Sequence, residues 1–132
     1  NGGGRIMALL TVADINATVR LIVPGFTVVG NEFTTANPDD CAYTRITGGP
    51  PPKEWSSVAY PSFQVVIRAK SSATAEAKAN AIFEALHGKA EFMIGTTRVV
   101  KCLADQSAPW YLGPDANNRA LYSINFTLTT SL

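Results

Sequence analysis

Apolar residues at Ile6, Leu9, Leu10, Ala13, Ala17 and Leu21 recur at steps of three and four, a spacing that predicts an amphipathic helix stopped by Pro24-Gly25. From Phe26 to Phe33 the period shortens to two among β-branched and aromatic residues, as in a strand with an irregular end. Asn37-Pro38-Asp39-Asp40 then turns the chain, because proline fixes one dihedral and aspartates bond back to the main chain. Cys41 to Thr47 alternates again. Gly48-Gly49-Pro50-Pro51-Pro52 breaks any regular element, since glycine opens unusual dihedrals and proline removes main-chain donors. It begins a long connection through Trp55 to Tyr60-Pro61.

The second half is patterned more sharply. Ser62 to Lys70 reads as a strand with Phe63, Val65, Ile67 and Ala69 on a core face and Gln64, Val66, Arg68 and Lys70 on a wet one. Ser71-Ser72 caps a helix whose buried stripe is Ala75, Ala79, Ile82 and Leu86, with Glu76 near its positive end and His87-Gly88 closing it. Glu91 to Ile94 and Thr97 to Asp105 form a hairpin around Gly95-Thr96. Pro109 to Arg119 reads as a second long loop. In the last strand Tyr122, Ile124, Phe126 and Leu128 alternate against Ser123, Asn125, Thr127 and Thr129. The expected fold is α+β: a mostly antiparallel mixed sheet with two helices packed on one face. Residues 6–132 make a single domain, and residues 1–5 are expected to be a flexible leader or an expression scar.

Composition narrows the function. At 132 residues and 46% apolar content the chain supports one core, and no apolar run nears the ~20 residues needed to cross a bilayer. No membrane partner is expected. The 11 basic and 10 acidic residues are scattered, for a net charge of +1, so no stripe of one sign offers itself to a phosphate backbone. No sequence-specific nucleic-acid partner is expected either. Cys41 and Cys102 belong to no C-x-x-C pair or zinc set and read as buried, reduced thiols.

Candidate chemistry is sparse. His87 is the only histidine and has no evident nucleophile or carboxylate partner, so helix capping explains it. Asp39-Asp40 has the composition of a metal pair but the setting of a solvated turn. Gly2-Gly3-Gly4 lacks the preceding strand of a phosphate loop. No catalytic residue, cofactor or metal is expected, and the chain is not read as an enzyme. Trp55, a large apolar side chain in a polar loop, either folds back or meets a neighbour. Arg68 and Lys70 suit a charged contact across a subunit boundary as well as a solvated face. Asp115 and Arg119 suit a turn-internal pair, or a pair with a neighbouring subunit.

Asn37-Pro38-Asp39-Asp40, Gly48-Gly49-Pro50-Pro51, Tyr60-Pro61-Ser62-Phe63-Gln64-Val65-Val66-Ile67-Arg68 before an alanine-rich helix, and Pro109 with Leu112-Gly113 and Asp115 to Arg119 form a succession of structural punctuation marks. In these the chain resembles the minor capsid and tail-completion proteins of long-tailed bacteriophages, the group that includes tail terminators. The resemblance covers nearly everything from Ile6 to Leu132. It implies a virion protein, made in the bacterial cytoplasm, that closes into a homo-oligomeric ring, commonly a hexamer, at the head-proximal end of the tail. Its implied partners are itself, the tail-tube protein and the head–tail connector protein. By the same resemblance the Gly48 to Tyr60 and Pro109 to Arg119 loops are candidates for subunit contacts, which adds Trp110 to Trp55, Arg68, Lys70, Asp115 and Arg119. The alternative is a small ferredoxin-like α+β module binding a ligand or RNA. Against it, Tyr122 and Phe126 alternate into the core without basic partners. A small hydrolase is disfavoured by the lone histidine.

Overall fold

Thr11 opens the first helix, α1 (Val12–Ile22), by accepting a hydrogen bond from the Asp14 amide at 3.2 Å. The computed structural model describes residues 10–51 and 58–131, so the expected helix start at Ile6 lies outside the described residues. Within them the phase of α1 corrects the expected stripe. Ala13, Ala17 and Leu21 face solvent, Leu21 at 85% exposure, while Ile15, Asn16 and Val19 are buried. The helix carries two apolar stripes, and the larger branched side chains bury more apolar area than alanines do, so they take the core side.

The strand expected over Phe26 to Phe33 is shorter: β1 (Thr27–Gly30) ends at Asn31, whose φ is 69°. It runs parallel to β2 (Cys41–Gly48), the parallel pair in an otherwise antiparallel sheet. The connection after β2 is interrupted by a short strand, β3 (Val58–Ala59). Then come β4 (Ser62–Ala69), α2 (Ser72–Leu86), β5 (Ala90–Ile94) and β6 (Thr97–Ala104). The Pro109 to Arg119 segment is no loop. It forms β7 (Trp110–Pro114) and a tight turn into β8 (Ala120–Ser131), with Gly113 at φ 97° beside a register shift that absorbs the surplus residue. Proline and glycine at its ends hid the strand between them.

The strand order is β1-β2-β4-β8-β6-β5, with β3 and β7 both attached to β8. One edge of β8 carries β4 over Ala120 to Thr127 and β3 at Thr130 and Ser131. The other carries β7 over Ala120 to Ser123 and β6 over Phe126 to Ser131. Eight strands in this order differ from the four-stranded βαββαβ sheet of the ferredoxin-like alternative. Where β6 and β7 leave a gap, Gln106 stands in for a strand: its amide donates to Ser123 O at 2.9 Å and accepts from Asn125 N at 3.0 Å.

Both helices pack on one face of the sheet. Phe63, Val65, Ile67 and Ala69 of β4 and Tyr122, Ile124, Phe126 and Leu128 of β8 meet Ala75, Ala79, Ile82 and Leu86 of α2, as the alternation requires. Phe63 and Phe126 stack at 5.1 Å between centroids; each buried ring contributes about 1.5–3 kcal/mol. Ser71 caps α2 by accepting from Thr74 N at 3.4 Å. Glu76 serves the sheet instead of the helix terminus, accepting a hydrogen bond from the Tyr122 hydroxyl at 3.1 Å. His87 closes α2, and its Nδ1 accepts from Ala104 N at 3.0 Å, so it ties the helix end to β6. Cys41 and Cys102 are buried and free. Burial pushes the Cys41 thiol up and the Cys102 thiol up to about 12.

Candidate functional site

The turn from β7 into β8 is built around one carboxylate. Asp115 Oδ1 accepts from the amides of Asn117 and Arg119, both at 2.9 Å, and Oδ2 accepts from Arg119 Nε at 2.8 Å. An aspartate that satisfies two amides holds the chain in a turn, and the left-handed Asn118 (φ 61°) completes it. Arg119 then reaches across the sheet end, donating from Nη1 to Asp39 Oδ1 at 3.0 Å. The other oxygen of Asp39 meets Lys70 Nζ at 3.4 Å, and Asp40 caps the Lys70 amide at 3.0 Å. The Asn37-Pro38-Asp39-Asp40 turn is thereby fastened to β4 and β8 together.

Arg68 fastens it from beneath. It donates from Nε to Asp39 O at 3.0 Å and from Nη2 to Pro38 O at 2.7 Å, with its guanidinium 4.2 Å from the centroid of the Phe33 ring. Phe33 in turn meets Tyr43 edge to face at 4.8 Å. Arg68 was expected on a wet face and is 4% exposed; the segment from Phe33 to Asp40 folds over that end of the sheet and buries it. Charge pairing and hydrogen bonding shift these groups. The Arg119 side chain, against a smaller effect of burial, holds Asp39 below the usual carboxylate range, and Lys70 assists. The Arg119 backbone amide lowers Asp115 in the same way, with the Arg119 side chain and the Asn117 amide adding to it. Burial works against the charge of Arg119, yet its bonds to Asp115 and Asp39 leave its pKa raised. Between these elements lies an open hollow of about 360 Å³, lined by Phe33, Thr34, Thr35, Asn37, Arg68, Asn117 and Arg119.

The structure therefore brings together four of the six residues singled out from sequence, Arg68, Lys70, Asp115 and Arg119, around Asp39. Trp110 lies on the same hairpin, 67% exposed, followed by Tyr111 and Leu112, each 49% exposed. Trp55 lies outside the described residues. Sequence reasoning missed Asp39 as the hub, although its turn was recognised, and missed Phe33, Tyr111 and Leu112. The exposed run Trp110-Tyr111-Leu112 was open to detection as three large apolar residues between two prolines. The hub was not, because its members meet only through the sheet. Among the described residues no three His, Cys, Asp or Glu side chains gather to hold a metal ion, and no helix is long and apolar enough to cross a membrane. What this arrangement does chemically is balance charge within the chain and fasten two turns to the sheet.

A family model described as bacteriophage tail terminator protein matches residues 25–132. No curated protein matches the chain. Among solved structures, a chain of a particle described as the virion of a native gene transfer agent is similar at a TM-score of 0.62 and 16% identity. The match covers 88% of this chain and 86% of that one; at this identity the likeness is one of fold.

Proposed function

Because this chain belongs to the bacteriophage tail terminator family, structural proteins of the virion tail, we propose that it closes into a ring of six copies that ends the tail tube at its head-proximal end. In this reading the ring meets the tail-tube protein on one side and the head connector on the other, and no catalytic step is involved. The observation that carries it is the β7 hairpin. Three consecutive large apolar side chains, Trp110, Tyr111 and Leu112, stand exposed on a strand bonded to β8 along one side. Isolated apolar residues on a surface are ordinary, but Trp110 and Leu112, on either side of a Tyr111 that leans on Tyr122 at 5.2 Å, expose two large apolar side chains on one short strand, the kind of feature on which protein partners dock.

Away from that hairpin, the β1 end of the sheet is closed by a different device. Arg20 Nη2 donates to Val28 O at 2.9 Å and occupies an acceptor of β1. Two unlike ends suit heterologous contacts, in which different patches of successive copies meet and the rotation closes a ring. Trp110 and Lys70 then face the neighbour. Arg68, Asp115 and Arg119 hold the surface behind them, and Trp55 is a second proposed contact. The fold neighbour in a gene transfer agent virion agrees with this reading. Native mass spectrometry of the full chain tests it: six copies are expected, and Trp110→Ser with Leu112→Ser is expected to give monomers of unchanged circular dichroism. A wild-type chain that stays monomeric at micromolar concentration overturns it.

A further inference from the structure

A buried guanidinium normally has a carboxylate beside it, because desolvating an uncompensated charge is unfavourable by several kcal/mol. Arg68 is an exception. It is 4% exposed, and among the described residues no carboxylate oxygen comes within 4.0 Å of it. Its neighbours are two carbonyl dipoles and the Phe33 ring face. The other cations nearby are matched, Arg119 by Asp39 and Asp115, and Lys70 by Asp39. With Asp40 bonded to the Lys70 amide the charges of the cluster balance in sum, but Arg68 alone of the three cations has no carboxylate in contact, and it lines the hollow between Phe33 and Asn117.

The remaining lining suits an anion. The Thr34 hydroxyl is donated to Asn37 Oδ1 at 3.2 Å, which leaves the Thr35 hydroxyl, the carboxamide NH2 groups of Asn37 and Asn117, and a second guanidinium from Arg119. A planar monoanion matches the fork geometry of arginine, and would give the Arg68 guanidinium the carboxylate contact it lacks. A dianion would meet the carboxylates of Asp39 and Asp115 that already sit on Arg119. We propose that this hollow is a carboxylate-binding site, filled in the assembled tail by an acidic side chain of a neighbouring subunit. The identity of the donor rests on the ring reading above; the affinity for a carboxylate does not.

The test uses separated subunits, the full chain carrying Trp110→Ser and Leu112→Ser, with N-acetylglutamate α-amide as probe. Saturable shifts of the Arg68 and Arg119 Nε–H signals are expected in nuclear magnetic resonance, with half-saturation on the order of 1 mM. The neutral N-acetylglutamine amide is expected to give none. No saturable shift, or an equal shift from chloride at the same ionic strength, overturns the site. Tighter binding of inorganic phosphate overturns its assignment to a carboxylate. Thr35→Glu places a tethered carboxylate at the exposed rim, and is expected to raise the unfolding midpoint and weaken the probe at least tenfold. A lowered midpoint with undiminished probe binding also counts against the site. A wild-type ring without a probe response sinks this inference alone, whereas a probe response without a ring sinks the ring and the donor's identity and leaves the carboxylate site standing.

Discussion

An arginine whose sequence neighbours, Ile67 and Ala69, are both fully buried needs solvation from within the protein, and Arg68 finds it in Pro38 O, Asp39 O and the face of Phe33. Arg68→Met keeps the length of the stem but leaves those carbonyls without a charged donor. We expect a loss of about 2–3 kcal/mol in urea unfolding; a loss below ~0.5 kcal/mol, as at an ordinary surface position, refutes the anchoring role. Asp39 and Asp115 give the same region a pH signature. Both have folded pKa values depressed below the ordinary aspartate range, Asp39 chiefly by the Arg119 side chain and Asp115 chiefly by the Arg119 amide. Their contribution is therefore complete above about pH 5 and is lost as pH falls through the depressed values. Stability measured against pH should decline below about pH 4, and less steeply in Asp39→Asn. An equal slope in that variant argues against the pairing. Alternation along β4 placed Arg68 on the correct face. That the face is covered there depends on partners thirty positions away, which no local pattern records.

At the scale of elements, β4, α2 and β8 were legible because each has a single strongly marked periodicity and a clear boundary residue, Ser71 and His87 for the helix. α1 misled because two apolar stripes compete on it, and only packing against β1 and β2 decides between them. β7 was obscured by Pro109, Gly113 and Pro114, which signal a loop when read alone and here mark the ends and bulge of a strand. The β5–β6 hairpin shows how two elements constrain one residue. Gly95 has φ 59° at the first turn position, and a Cβ there would lie 2.2 Å from Asp14 Oδ2 of α1. Gly95→Ala should destabilise by about 1–3 kcal/mol in chemical denaturation. Adding Asp14→Ala removes the clash and leaves the dihedral strain, so partial recovery is expected. Full recovery, or none, shows that one of the two causes is absent.

At the scale of the whole molecule, β8 is the organising strand: four others hang on it, and both the charged hub and the aromatic hairpin lie at its N-terminal end. A contact made by the hairpin is thus borne by a strand that runs through the core. The ring reading predicts that Trp110 passes from water into protein on assembly. With Trp55→Phe leaving Trp110 as the sole indole, its emission should move to the blue as protein concentration rises through the assembly range. Constant emission across a demonstrated change in mass would place the contact elsewhere.

Both sulfhydryls of the chain are sealed inside, and burial pushes both thiols up, the one at Cys102 to about 12. Oxidants attack the ionised form, so neither is open to them at ordinary pH. Cross-linking through this subunit's cysteines is therefore disfavoured for as long as it stays folded.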